Sequence, residues 1–253
     1  MNILYKNLIF KLLLAPAMLM IASCSTKKDD TKINSDSIGF ENKFSEQEYE
    51  KEYDLKSKGL EAILGKQSDI VGHAIIPFDV GGAVDMYYYP NGITGTGFAT
   101  MELIQPDGSG PVPNRNGTYE LVAFTKLQYV SDTTETNPFN LIERRMCGIF
   151  TDIGNYSFEV KLEPGETMEI PQDDGTPTKC IVFDEYKPDG KEFFIGDRKY
   201  GLLLVIEVFR DEMEYAMENG SDQLLNKLKE YGHYPYSDLN RRSVLIGKGA
   251  FFQ

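Results

Sequence analysis

The chain has little of what most enzymes build with: two His, three Cys and no Trp in 253 residues. Neither His73 nor His233 has a second His or Cys at ligand spacing, so a zinc site would have to gather ligands from distant segments. There is no Gly-rich phosphate loop ending in Lys-Ser/Thr, no G-x-S-x-G elbow and no H-E-x-x-H. Gly81-Gly82 and Gly95-Thr96-Gly97 lack the strand-to-helix context of a nucleotide loop. No cofactor and no metal is expected. Basic side chains are also scarce, 26 against 39 acidic ones, for a net charge of −13. Such a surface repels nucleic acid and anionic lipid and suits a basic partner.

What is present is ample material for a core: 41% of residues are hydrophobic and 12% aromatic. Leu202 to Phe209 is a short run rich in Leu, Val and Ile, which reads as a strand buried on both faces. Glu212 to Glu218 follows as about two helical turns, and Asn219-Gly220 ends it. Leu224, Leu225, Leu228 and Tyr231 then line one face of a second helix, closed by Gly232. Upstream, Ser45-Glu46-Gln47-Glu48 is a capping box opening a helix to Leu64, with Tyr49, Tyr53, Leu60 and Leu64 on one face. Val84 to Tyr89 and Phe98 to Ile104 read as a hairpin turned at Pro90-Asn91-Gly92. A long polar loop, Gln105 to Gly117, leads to a strand over Tyr119 to Thr125. Pro138 to Ile153 is amphipathic and Gly154 is its expected stop. Short strands are expected at Phe158–Leu162, Thr167–Ile170, Lys179–Phe183 and Phe193–Ile195, with a last one within Arg241–Phe252. Close strand pairs alternate with helix-separated ones, which predicts one mixed α/β (α+β) domain with helices packed on a mixed sheet.

The N-terminus reads as an address. Lys6 and Lys11 flank the start of an apolar run, Leu8 to Ala22, too short and too early for a membrane span. It ends in Ile21-Ala22-Ser23-Cys24, which resembles the lipobox of bacterial lipoproteins. The resemblance implies cleavage before Cys24 and acylation of its thiol. Two or three acyl chains, at about 0.8 kcal/mol per buried methylene, give a stable anchor. The expected organisation is a signal peptide over 1–23, a flexible tether over 24–44 and the α/β domain over 45–253. Without Lys6 and Lys11 the mature chain has 24 basic and 39 acidic residues, or −15. Nothing after Cys24 resembles the Asp that retains lipoproteins in the inner membrane. The expected location is the bacterial cell envelope, the outer membrane ahead of the inner. Lys27-Lys28-Asp29-Asp30 resembles a short surface-export tag, and a plain solvated spacer has the same composition.

The strand, acidic elbow and Leu-rich helix also carry a family resemblance. Leu203 to Val208, Glu212, Glu214, Ala216, Gly220, Leu224, Leu225 and Leu228 are similar to the suppressor of fused domain in its bacterial form. VDMYYYP (Val84–Pro90), GFATMELI (Gly97–Ile104), YELVAFTK (Tyr119–Lys126) and PYSDLNRRSV (Pro235–Val244) extend the likeness from about Leu60 to Phe252. The resemblance implies an α/β sandwich that works by protein–protein contact and carries no catalytic signature. For bacterial members it implies immunity against toxins, with an acidic protein covering the toxin's active site. A membrane anchor departs from that pattern, since a nuclease toxin acts in the cytosol.

Three groups of residues remain as candidates. Asp85, Glu102 and Glu120 lie in or beside predicted strands, and a half-buried row of carboxylates serves acid–base chemistry or simply pairs with Arg and Lys. If Val84, Met86 and Tyr88 share one face, Asp85, Tyr87 and Tyr89 share the other. Tyr87, Tyr88, Tyr89 and Tyr119 offer an aromatic surface that could grip a peptide or glycan, and Tyr87, Tyr89, Asp85, Glu102 and Glu120 are the expected partner-binding residues; a glycan- or peptide-binding lipoprotein, or a carboxylate-dependent hydrolase, are the alternatives. Cys147 and Cys180 are the thiols left besides Cys24. Two buried free thiols are the default reading, and a disulfide or a Cys–His pair stay open.

Overall fold

The computed structural model describes residues 43–131, 134, 136–172 and 177–246. Cys24, the apolar run before it and the tether to residue 42 lie outside the described residues. Among those described, no helix is long and apolar enough to cross a membrane.

Helix α1 (Glu46–Leu64) starts where the capping box predicts: Ser45 Oγ accepts from the Glu48 backbone, and Glu48 Oε2 accepts from the Ser45 N–H at 2.8 Å. Strands β1 (Val71–Gly72), β2 (Met86–Tyr89), β3 (Thr96–Ala99) and β4 (Tyr119–Thr125) follow as an antiparallel run. Helix α2 (Pro138–Ser157) opens on Asn137, whose side chain accepts from Phe139 N, with Pro138 in its first turn. Then come β5 (Thr167–Ile170), β6 (Lys179–Glu185), β7 (Phe193–Ile195), β8 (Arg198–Val208), α3 (Arg210–Asn219) and α4 (Ser221–Glu230). The sheet runs β1-β2-β3-β4-β8-β6-β5, and β7 pairs with the start of β8. Only β4 and β8 are parallel, so the sheet is mixed.

β8 is the central strand, buried from Gly201 to Val208 on both faces. Leu202, Leu204, Ile206 and Val208 face α1, α3 and α4, together with Tyr87, Tyr89, Val122, Phe124 and Leu224. Leu203 and Val205 face α2 with Met86, Tyr88, Phe98, Leu121 and Phe150. The third residue on that side is Glu207, and Arg145 of α2 meets it through Nε at 2.6 Å and through Nη2. Beyond Val122 and Leu204, where the β4–β8 ladder ends, the Pro235–Asp238 segment continues the pairing. Ser237 N donates to Phe124 O at 2.8 Å, and its hydroxyl donates to Val205 O at 3.0 Å. Farther on, Arg241 forks onto buried Glu212 of α3 at 2.6 and 2.7 Å.

Several expectations need correcting. The strand from Phe98 stops at Ala99, because Leu103 and Ile104 turn their N–H groups onto the Glu120 carboxylate. Gly154 does not end α2; it lets the helix pass closely by Phe78 and Leu103, and the helix runs to Ser157. No strand forms at Phe158–Leu162, nor over the described residues 241–246. Cys147 packs on the α2 side of the sheet and Cys180 on the other, and both are free thiols. In α1 the inward row is Glu52, Lys56, Leu60 and Leu64, while Tyr49 and Tyr53 are about 40% exposed.

Candidate functional site

The inward row of α1 changes character along its length. Its C-terminal half is apolar and seals the core; its N-terminal half is charged, with Glu52 and Lys56 buried on the inward side. Gly59 lets α1 pass close to β7, since a Cβ there would lie 2.0 Å from the Phe194 carbonyl oxygen. Beneath the charged half opens a cleft of about 780 Å³, bounded by α1, by the loop 73–79, and by Tyr87 and Met101 to Pro106.

The floor is a closed polar knot. Lys56 Nζ lies 3.1 Å from Glu120 Oε1 and donates to the carbonyls of Met101, at 2.6 Å, and Ile104. Glu120 also accepts from Thr100 Oγ1 at 2.7 Å and from the N–H groups of Leu103 and Ile104. Glu120 is therefore a fully satisfied structural carboxylate, out of reach of a partner. Glu52 is paired likewise, with both oxygens 2.8 Å from Arg198 Nη2.

Glu102 is different. It lines the cleft beside Met101, yet its Oε1 is sealed from solvent and has no hydrogen-bond partner. Its Oε2 accepts one long bond, 3.3 Å, from the Met101 N–H. Burial, reinforced by the charges of Glu120 and Asp85, pushes its carboxyl up to about 8. Asp85 lines the same cleft and holds the loop opposite: its Oδ1 accepts from Ala74 N at 2.8 Å, and Oδ2 lies 2.6 Å from His73 Nδ1. Glu50, Asp54 and Asp79 stand exposed around the mouth. Among the described residues, none of these three, nor Glu102, has an ion pair.

The expected aromatic surface is not a surface. The alternation of Val84 to Tyr89 has the predicted phase, but α1 covers the face that carries Tyr87 and Tyr89. Tyr89 is fully buried, with its hydroxyl donating to Gln67, and Tyr87 reaches the cleft with only 5% of its surface, its ring 5.9 Å from that of Tyr53. Of the five predicted partner-binding residues, the cleft brings together Asp85, Tyr87 and Glu102; Glu120 lies beneath them and Tyr89 in the core. Sequence reasoning missed Lys56 and Glu52. Their signal was the unbroken four-residue step from Glu52 through Lys56 and Leu60 to Leu64. Among the described residues, no group of three or more His, Cys, Asp and Glu is arranged to hold a metal ion.

A family model described as "Suppressor of fused protein (SUFU)" matches residues 97–242, more than half of the sequence. The chain belongs to the suppressor of fused family. The matched span opens just before the cleft floor and closes on the Arg241–Glu212 fork, so β4, β8, α3 and the 235–242 segment are the family's own parts. α1 and β2 lie outside the match, and they supply one wall of the cleft. No curated protein matches the chain. Among solved structures, "the Sufu-Fu complex crystal structure" is similar with a TM-score of 0.50 at 16% identity, over 76% of this chain and 90% of that one. That likeness is one of fold.

Proposed function

We propose that this suppressor of fused family member is a lipid-anchored binding module of the bacterial envelope, not an enzyme, and that it engages a basic protein. The observation that carries the reading is the cleft: acids line its walls and mouth, and among the described residues no cation forms an ion pair with Glu50, Asp54, Asp79 or Glu102. Low-dielectric walls of one sign focus the field outward and speed the arrival of an opposite charge. The mature charge of −15, with 24 basic and 39 acidic side chains, acts in the same direction. The similar fold in a Sufu–Fu complex supports a protein as the thing bound. Anchoring rests on Ile21-Ala22-Ser23-Cys24 and places the module where it would cover a toxin acting in the periplasm.

The test is capture of partners from native envelopes with the acylated chain, at about 0.05 M and about 0.5 M salt. One basic protein recovered at low salt and lost at high salt is the expected result. Recovery of no protein, or of one held equally at both salts, overturns the reading. Glu102 and Asp85 facing one cavity are also what a carboxylate-dependent hydrolase uses. Turnover of ester or glycoside substrates, abolished in Glu102→Gln, would move the assignment there.

A further inference from the structure

We infer that the cleft is a socket for one lysine or arginine side chain of the partner, with Glu102 as its counter-ion. This rests on the basic-partner reading above and narrows it to one side chain and one carboxylate.

The argument begins with how this chain treats buried carboxylates elsewhere. Among the described residues, Glu52, Glu120, Glu207 and Glu212 are the fully buried acids, and each is met by a cation of its own chain: Arg198, Lys56, Arg145 and Arg241. Burying a carboxylate without such a partner is costly, and the fold avoids it four times over. Glu102 is only half-buried; it lines the open cleft, and among the described residues no cation of the chain forms an ion pair with it. The position left open is that of a cation supplied from outside.

The surroundings fit a long basic side chain. The exposed ring of Tyr53, backed by the buried Tyr87, offers an apolar face along which an alkyl stem can lie, and a cation near a ring face gains further attraction. Glu50, Asp54 and Asp79 at the mouth repel anions and admit cations. Lys56 cannot serve as the counter-ion, since Glu120 and two backbone carbonyls hold it. The groups around Glu102 in the cleft are Glu120 of β4, Lys56 and Tyr53 of α1, Asp85 just before β2 with His73 paired to it, and Tyr87 of β2. Of these Lys56 is the one Lys or Arg, and it is already shared. An entering ammonium or guanidinium therefore finds Glu102 holding a proton at neutral pH and displaces it to solvent.

The test titrates the full chain with N-acetyl-pentalysine amide and N-acetyl-pentaarginine amide, with the pentaglutamate analogue as control. Calorimetry in two buffers of different ionisation heat counts the protons. With burial raising the Glu102 carboxyl well above the usual carboxylate range, binding at pH 7 should release protons, and Glu102→Gln should abolish that release. The Glu102 carboxyl carbon should shift to its ionised position in NMR, a readout that needs no variant. Glu102→Gln should weaken binding at least about tenfold, whereas Asp54→Asn at the exposed mouth should change it only about twofold. Equal affinity for Glu102→Gln, or binding without proton release, overturns the socket and leaves diffuse surface attraction. No binding of either basic peptide overturns it too. In both cases a basic protein recovered from envelopes would keep the partner reading standing, so the two failures are distinguishable.

Discussion

Glu120 and Glu102 lie on the same side of the sheet, under the same helix, and have opposite surroundings. Glu120 receives an ammonium, a hydroxyl and two backbone N–H groups; Glu102 receives one N–H at 3.3 Å. The difference separates two uses of an acid beneath α1, one fully buried and one half-buried. One ties the Thr100–Ile104 bend to α1 and shapes the cleft. The other is left unmatched inside the cleft that the first one shapes. The comparison breaks if Glu120 is made to resemble Glu102. Lys56→Met removes the ammonium and strands a buried carboxylate, at an expected cost of about 3–5 kcal/mol in urea unfolding. Adding Glu120→Gln should recover part of that loss, because it removes the stranded charge and keeps an acceptor for the Leu103 and Ile104 N–H groups. A single Lys56→Met variant as stable as the parent would show that the knot is not what holds α1 in place.

The next effect is smaller and lies on the other carboxylate. The pKa of Glu102 rises from 4.5 to about 8 on folding. Between those values the folded chain holds a proton that the unfolded chain has released. Stability should therefore be full below about pH 4.5 for this group, fall as pH rises through the window, and level off above about 8. The slope from one such group is at most about 1.4 kcal/mol per pH unit. Glu102→Gln should flatten it, and above pH 8 the variant should be the more stable protein. The comparison sharpens if Glu102→Gln stabilises while Lys56→Met destabilises, since the two changes then separate unmatched from matched acid. Parallel pH profiles for the parent and Glu102→Gln would remove Glu102 from the account.

Much of the frame was legible in the sequence because single elements carried strong local signals. The apolar run at Leu202–Val208 allowed one interpretation, a strand covered on both sides, and β8 is that strand. Ser45 and Glu48 placed the start of α1 to the residue, and the two-residue alternation gave Val84–Tyr89 its correct phase. The site was less legible, because its key contacts join distant segments. Nothing near Glu120 reveals that Lys56 will cap it, and nothing in Phe98–Ile104 shows that a side chain will replace the strand ladder after Ala99. Tyr87 and Tyr89 looked like a half-exposed face because the pattern shows which residues share a side, not whether a helix covers that side. In α1 the apolar pattern put Tyr49 and Tyr53 on the inward face, whereas Glu52 and Lys56, which step in register with Leu60 and Leu64, take that place.

The smallest effect concerns the two thiols, and it tests the placement of the layers. Cys147 on α2 and Cys180 on β6 face opposite sides of the sheet, so a bond between them would require the sheet to open. Burial pushes both thiols up, which disfavours the reactive thiolate. Cys147 is half-buried, with its Sγ 3.7 Å from Val84 O; Cys180 is buried. Native alkylation by iodoacetamide at about pH 8 should be slow at both and faster at Cys147. The melting temperature should be the same with and without dithiothreitol. A disulfide closing a loop of this kind contributes about 3–4 kcal/mol, enough to raise the midpoint by several degrees. A drop of that size on reduction would mean that the two cysteines meet, and the assignment of α2 and α3 to opposite faces of the sheet would have to be redrawn.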